Sequence, residues 1–219
     1  GRERFRKCLK QDQELSQRIS NPLEFIQQMH ARKSENYRTM LASDHIQLRP
    51  GIARLIHEAR DRKIRLGIAT SSSSANLETL INTTLNIQAQ DLFDTIVTSD
   101  TIIDKKPSPV VYQCALAGLG QAADSCIAIE DTRNGNMAAL SAGLKTIITT
   151  HRYTRDNDFT GAALVLDHLG EPDQPFIQAQ GFHTDQDFVD IDLIDEIISS
   201  REDAEPLIDD LPGFASNLN

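Results

Sequence analysis

The 219 residues contain no tryptophan, and phenylalanine and tyrosine bring the aromatic share to only 5%. A core here must rest on aliphatic side chains. Cysteine is scarce and odd in number: Cys8, Cys114 and Cys126 stand in apolar settings with no Cys-x-x-Cys or Cys/His spacing. That excludes a disulfide framework and points to reduced thiols, hence to the cytoplasm. The six histidines include no pair three or four residues apart, which leaves no helical zinc signature. No apolar run approaches the roughly 20 residues needed to span a bilayer. A net charge of -10 leaves no excess of positive charge for a nucleic-acid or membrane surface, so a phosphate-bearing ligand must be held by a local cluster of cations. The chain also lacks an opening methionine: Gly1-Arg2-Glu3-Arg4-Phe5 reads as the middle of something, and a targeting peptide upstream stays compatible with it.

What is present is ordinary globular composition, 39% hydrophobic and 25% charged. Residues 1–44 are helical in pattern, with Leu23, Phe25, Ile26, Met29 and His30 striped after Ser20-Asn21-Pro22. Leu48-Arg49-Pro50-Gly51 interrupts, which places a domain boundary near residue 45. Beyond it, strands are predicted at 64–69, 95–98, 126–129, 145–149 and 163–166, alternating with helices near 51–61, 75–86, 109–119 and 134–142. Short apolar strands separated by helices predict an open, doubly wound parallel α/β sheet over residues 45–219. After Gly170 the pattern weakens into a loop at Glu171–Pro175 and an acidic tail with one helix near 193–200.

Ligands of such sheets bind beyond the carboxyl ends of the strands, and three of those ends carry chemistry. Ile68-Ala69-Thr70-Ser71-Ser72-Ser73-Ser74 runs from a strand into a helix start, where hydroxyls and free N–H groups suit an anion; the alternative is that the serines only cap the helix. In Asp104-Lys105-Lys106-Pro107-Ser108-Pro109, Ser108 reads as an N-cap that fixes Lys106 ahead of a helix, although adjacent lysines also suit a solvated loop. Ile129-Glu130-Asp131-Thr132-Arg133 ends a strand in two acids, which suit magnesium between them; the alternative makes Asp131 the cap and leaves Glu130 solvated.

In order and spacing, hydroxyl, lysine and acid pair resemble the second, third and fourth motifs of the haloacid dehalogenase (HAD) phosphatases. The likeness extends along essentially the whole chain, and Leu48-Arg49-Pro50-Gly51, Tyr153-Thr154 and Asp158-Phe159-Thr160-Gly161-Ala162 make it closest to the CbbY-like, β-phosphoglucomutase-like branch. The resemblance implies a Rossmann-like core with a helical cap, represented in part by residues 1–44. It implies that Thr70, with Ser71 and Ser72, bonds a phosphoryl group, that Lys106 stabilises its charge, and that Glu130 and Asp131 hold Mg2+. By position in the cap, Arg2 and Lys33 would contact the distal part of a small phosphorylated sugar such as xylulose 1,5-bisphosphate, although a solvated helix charge is the alternative for both. A monomer is expected.

The family's first motif, an Asp-x-Asp-Gly-Thr strand end whose first aspartate attacks phosphorus, does not occur in these residues. The nearest string, Val189-Asp190-Ile191-Asp192-Leu193, has Leu for Gly and stands at the wrong end of the chain. As written, the chain is expected to be inactive and to be a fragment whose missing central strand leaves two inner sheet edges unpaired. A phosphomutase and a non-catalytic phosphate-binding protein are the two rival readings.

Overall fold

The computed structural model describes residues 2–41 and 46–200, with side chains from Phe5 onward. The chain divides into two compact units, residues 1–47 with 75–86, and residues 48–74 with 87–219.

The first unit contains α1 (Arg2–Gln11), α2 (Gln13–Arg18), α3 (Pro22–Leu41) and most of α5 (Ser74–Leu85). Local chemistry sets the boundaries. The Asp12 side chain accepts the Leu15 N–H at 2.9 Å to start α2, and the Asn21 side chain accepts the Glu24 N–H at 3.2 Å to start α3, with Pro22 as its first helical residue. Leu9, Ile26, Leu41, Leu77 and Ile81 are its buried aliphatics. From the sequence α5 was read with the second domain, whereas its residues from Ala75 onward group with the first.

The second unit is the α/β layer structure. Its elements are α4 (Ile52–Asp61), β1 (Gly67–Ala69), α6 (Ala89–Leu92), β2 (Thr95–Val97), α7 (Val110–Leu119), β3 (Ile127–Glu130), α8 (Arg133–Ser141), β4 (Lys145–Thr149), β5 (Leu164–Leu166), β6 (Gln178–Gly181) and α9 (Ile191–Ser199). The strands form two sheets: a parallel pair β1-β2 and a four-stranded sheet β3-β4-β5-β6, parallel except for β6. Among the described residues β1 and β3 share no ladder, so the two sheets divide between these strands.

Alternation along the buried strands builds the core. Ile147, Leu164 and Leu166 join Leu55 and Ala59 of α4 and Leu193, Ile194 and Ile197 of α9, while Ile148 and Val165 turn the other way toward Phe159 and Ala162. A second cluster unites Val97 and Ala128 of the strands with Val111, Tyr112 and Ala115 of α7 and Ala138 and Ala139 of α8.

The region after Gly170 is firmer than its sequence suggested. Residues 178–181 pair antiparallel with β5, and α9 starts on Asp190, whose side chain accepts the Leu193 N–H at 2.8 Å. Val189, Leu193 and Ile197 are fully buried, and Lys145 Nζ caps the far end of α9 by donating to Ile197 O at 2.7 Å. Hydrophobic anchoring thus overrides the polar composition of this stretch. The acidic residues 201–219 lie outside the described residues.

Arg49 and Gly51 join the start of this unit to the strand ends. Arg49 donates to Thr149 O at 3.0 Å, Thr150 O at 2.6 Å and Asp167 O, so one guanidinium pins the ends of β4 and β5. At Gly51, φ is +85° and a Cβ would stand 2.5 Å from Leu169 Cβ, so only glycine fits.

Candidate active site

Thr70 follows β1 and continues its ladder, its N–H donating to Val97 O at 2.9 Å. Its hydroxyl accepts the Ser72 N–H at 3.1 Å, a local turn that also sets the Ser72 carbonyl to accept the Ser99 N–H at 3.0 Å. The helix start offered to an anion by the sequence is partly taken: Ser74 N–H donates to Asp100 Oδ2 at 2.8 Å, and Ser74 Oγ bonds Thr98 Oγ1 at 2.9 Å. Thr70 and Ser71 line a cleft with Thr98, Asp104, Lys105 and Lys106; Ser72 is exposed outside it.

Lys106 reaches across the divide between the two sheets. Its ammonium donates to Ala69 O, the last residue of β1, at 2.9 Å, to Tyr112 Oη at 3.3 Å, and to Glu130 Oε1 at the end of β3. The side chains of Lys106 and Glu130 are 15% and 7% exposed, so this pair is sheltered from solvent. The helix behind it starts one residue later than the sequence suggested: Pro109, not Ser108, is the residue at the cap, and Ser108 Oγ meets the Val110 N–H only at 3.5 Å.

The acid pair is divided in role. Thr132, not Asp131, caps α8, its hydroxyl accepting the Gly135 N–H at 3.1 Å, and Glu130 is buried rather than solvated. Both Glu130 oxygens are engaged: Oε1 by Lys106 and by the Tyr112 hydroxyl, Oε2 by the Asp131 N–H at 3.3 Å. A Cβ on Gly135 would lie 1.8 Å from Glu130 Oε2, so the carboxylate fills the space glycine leaves. Asp131 is half-exposed. Loss of solvation, then the neighbouring Glu130 charge, raises its carboxyl above the usual aspartate value, against the opposing pull of His151, Lys106 and Arg49.

Two site residues escaped the sequence reading. His151, which no spacing of the histidines singled out, follows β4 with Nε2 3.7 Å from Asp131 Oδ2, while Nδ1 accepts the Tyr153 N–H at 3.1 Å. That bond leaves the ring proton on Nε2, facing the carboxylate. Tyr112 is buried under Lys106, its ring centroid 4.7 Å from Nζ. Burial first, then the charge and hydrogen bond of Glu130, push its phenol far up, so it stays protonated and donates. Its signal in the sequence was a hydroxyl-bearing aromatic three residues after Pro109, in the first turn of a helix beside a functional lysine.

Other expected residues fall elsewhere. Lys33 is exposed on α3 of the first unit, and the Arg2 side chain lies outside the described residues. In the Asp-x-Asp string, Asp190 caps α9 and Asp192 pairs with Arg62, so both carboxylates have structural partners.

Among the described residues no three His, Cys, Asp or Glu side chains converge on one point. What the donor set does supply is two adjacent carboxylates, one of them raised first by loss of solvation and then by the charge of the other, and a divalent cation would relieve that repulsion. Hard oxygen ligands of this kind fit Mg2+ as part of its coordination shell.

A strand-end hydroxyl, a lysine from the next loop and an acid pair after β3 gather on a Rossmann-like sheet, and the sequence profile of haloacid dehalogenase-like hydrolases matches residues 1–149. The chain belongs to that family. Within it, the chain is 41% identical over 155 residues to "Protein CbbY, plasmid" of Cupriavidus necator, covering 71% of this chain and 61% of that protein. A crystal structure of a mutant CbbY from Rhodobacter sphaeroides in complex with xylulose 1,5-bisphosphate superposes with a TM-score of 0.63 at 39% identity, covering 68% of this chain and 65% of that one. A β-phosphoglucomutase structure from Clostridium difficile matches at 27% identity and a TM-score of 0.53, covering 66% and 61%. The chain thus spans just under two thirds of the length of these relatives.

Proposed function

We propose that this chain forms the phosphate- and metal-holding part of a magnesium-dependent sugar-phosphate phosphatase of the CbbY type, acting on a pentulose bisphosphate such as xylulose 1,5-bisphosphate. The observation that carries the reading is the sheltered Lys106–Glu130 pair set between Thr70 and Asp131 at the strand ends. In this reading Thr70 and Ser71 hydrogen-bond the phosphoryl oxygens, Lys106 offsets their charge, and Asp131 with Glu130 holds the cation. Magnesium, when bound, neutralises further phosphoryl charge. The attacking carboxylate of such a reaction is an aspartate in an Asp-x-Asp-Gly setting, which these 219 residues do not contain. Support for the sugar comes from the CbbY complex with xylulose 1,5-bisphosphate.

The test follows free phosphate from xylulose 1,5-bisphosphate and Mg2+. For these residues alone, binding without turnover is expected. For a longer chain in which an Asp-x-Asp-Gly strand accompanies these residues, one phosphate should be released per substrate, and Lys106→Ala should abolish the release. Accumulation of glucose 1,6-bisphosphate from β-glucose 1-phosphate without free phosphate would make the protein a mutase instead.

A further inference from the structure

We propose that Tyr112 is a positioning residue of this site: its hydroxyl fixes the Glu130 carboxylate, and through that carboxylate the Lys106 ammonium. The inference rests on the reading of Lys106 as the cation that faces the phosphoryl group. A lysine head is a strongly hydrated point charge on a flexible four-carbon stem, and placing it to within a fraction of an ångström requires partners that are themselves fixed.

Tyr112 is such a partner. It is 7% exposed, and its ring packs in the cluster with Val111, Ala115 and Ala138, which leaves it little rotational freedom. The phenol has one hydrogen, and it gives that hydrogen to Glu130 Oε1. Its oxygen accepts from Lys106 at 3.3 Å, and its ring face lies under the same ammonium at 4.7 Å. On the opposite side Glu130 is confined by Gly135, where no Cβ fits. The carboxylate is held between a rigid donor and a backbone wall, and the ammonium's three hydrogens meet Ala69 O, Tyr112 Oη and Glu130 Oε1.

The experiment is competitive lysine acetylation of the 219-residue chain, read by peptide mass spectrometry, with Lys105 and Lys145 as internal standards. Tyr112→Phe keeps the ring and its packing and removes only the hydroxyl. Labelling of Lys106 alone should rise about three- to tenfold, the population change that one lost hydrogen bond produces. Unchanged Lys106 labelling, or an equal rise at all three lysines, overturns the proposal and leaves Tyr112 as a packing residue. Glu130→Gln adds a second route: it should also raise Lys106 labelling, and the double variant should exceed it by little. Fully additive increases would mean that Tyr112 does not act through Glu130, and would also overturn the proposal. Calorimetric titration of Lys106→Ala with inorganic phosphate separates the two levels. Unchanged phosphate binding there sinks the reading of Lys106 as the phosphate cation, and leaves the labelling result standing.

Discussion

In the four-stranded sheet β4 and β5 are sealed, with Ile147, Ile148, Leu164 and Leu166 at 0% exposure, whereas in the two-stranded sheet Gly67 is open to solvent and Ile68 and Ile96 are only half-buried. Among the described residues β1 has one strand neighbour, β2, while β4 has two. The candidate site draws on both halves: Thr70 comes from the shallow one, Glu130 and Asp131 from the deep one, and Lys106 touches each. A site distributed in this way inherits its rigidity unequally, with the acid pair anchored by the core and the hydroxyl by little more than one parallel ladder.

The largest test of that contrast is core truncation. Leu164→Ala, in the deep sheet, should cost about 3 kcal/mol, and Ile68→Ala, in the shallow one, about 1 kcal/mol; urea unfolding that gave equal losses would erase the distinction. Lys106→Ala comes next, at about 2 kcal/mol, because it strips a sheltered carboxylate of its cation. Its signature is greater proteolytic cleavage around β1 and β2 than around β4 and β5, and uniform protection would show that the lysine does not tie the halves together. Thr132→Ala should remove about 1 kcal/mol of capping from α8, with Thr132→Ser restoring most of it in thermal melts. The smallest effect concerns Asp192, which its hydrogen bond to Arg62 holds below the ordinary 3.8. A depressed carboxyl contributes stability well above 3.8 and loses it as pH falls through the lowered value. The advantage of the native chain over Asp192→Asn should therefore be present near neutrality and gone in strong acid, as melting temperatures across pH will tell.

Much of this was legible in the chain itself, because the buried strands are nearly continuous apolar runs. Lys145–Thr149 was placed to the residue, and the helices over 52–61, 110–119 and 133–141 to within one. Thr70 and Glu130-Asp131 could be singled out for the same reason, since they stand where apolar runs stop at the ends of β1 and β3, whereas Lys106, well beyond β2, was singled out by the helix start that follows it. What could not be read depends on distant partners. Gln178–Gly181 has no strand composition and becomes a strand only because Leu164–Leu166 offers it an edge. The burial of Glu130 depends on Tyr112, Lys106 and Gly135, three separate segments, and His151 meets Asp131 through the geometry of β3 and β4.

Gly135 gives that burial an engineering consequence. It sits in the first turn of α8, where replacing glycine by alanine ordinarily gains up to about 1 kcal/mol of helix stability. Here the added methyl would occupy the volume of the Glu130 carboxylate. A thermostabilisation campaign guided by helix propensity alone would choose this position, and would evict Glu130 from its place beside Lys106. The missing methyl is reserved space, and the helix runs below its own optimum to keep it empty.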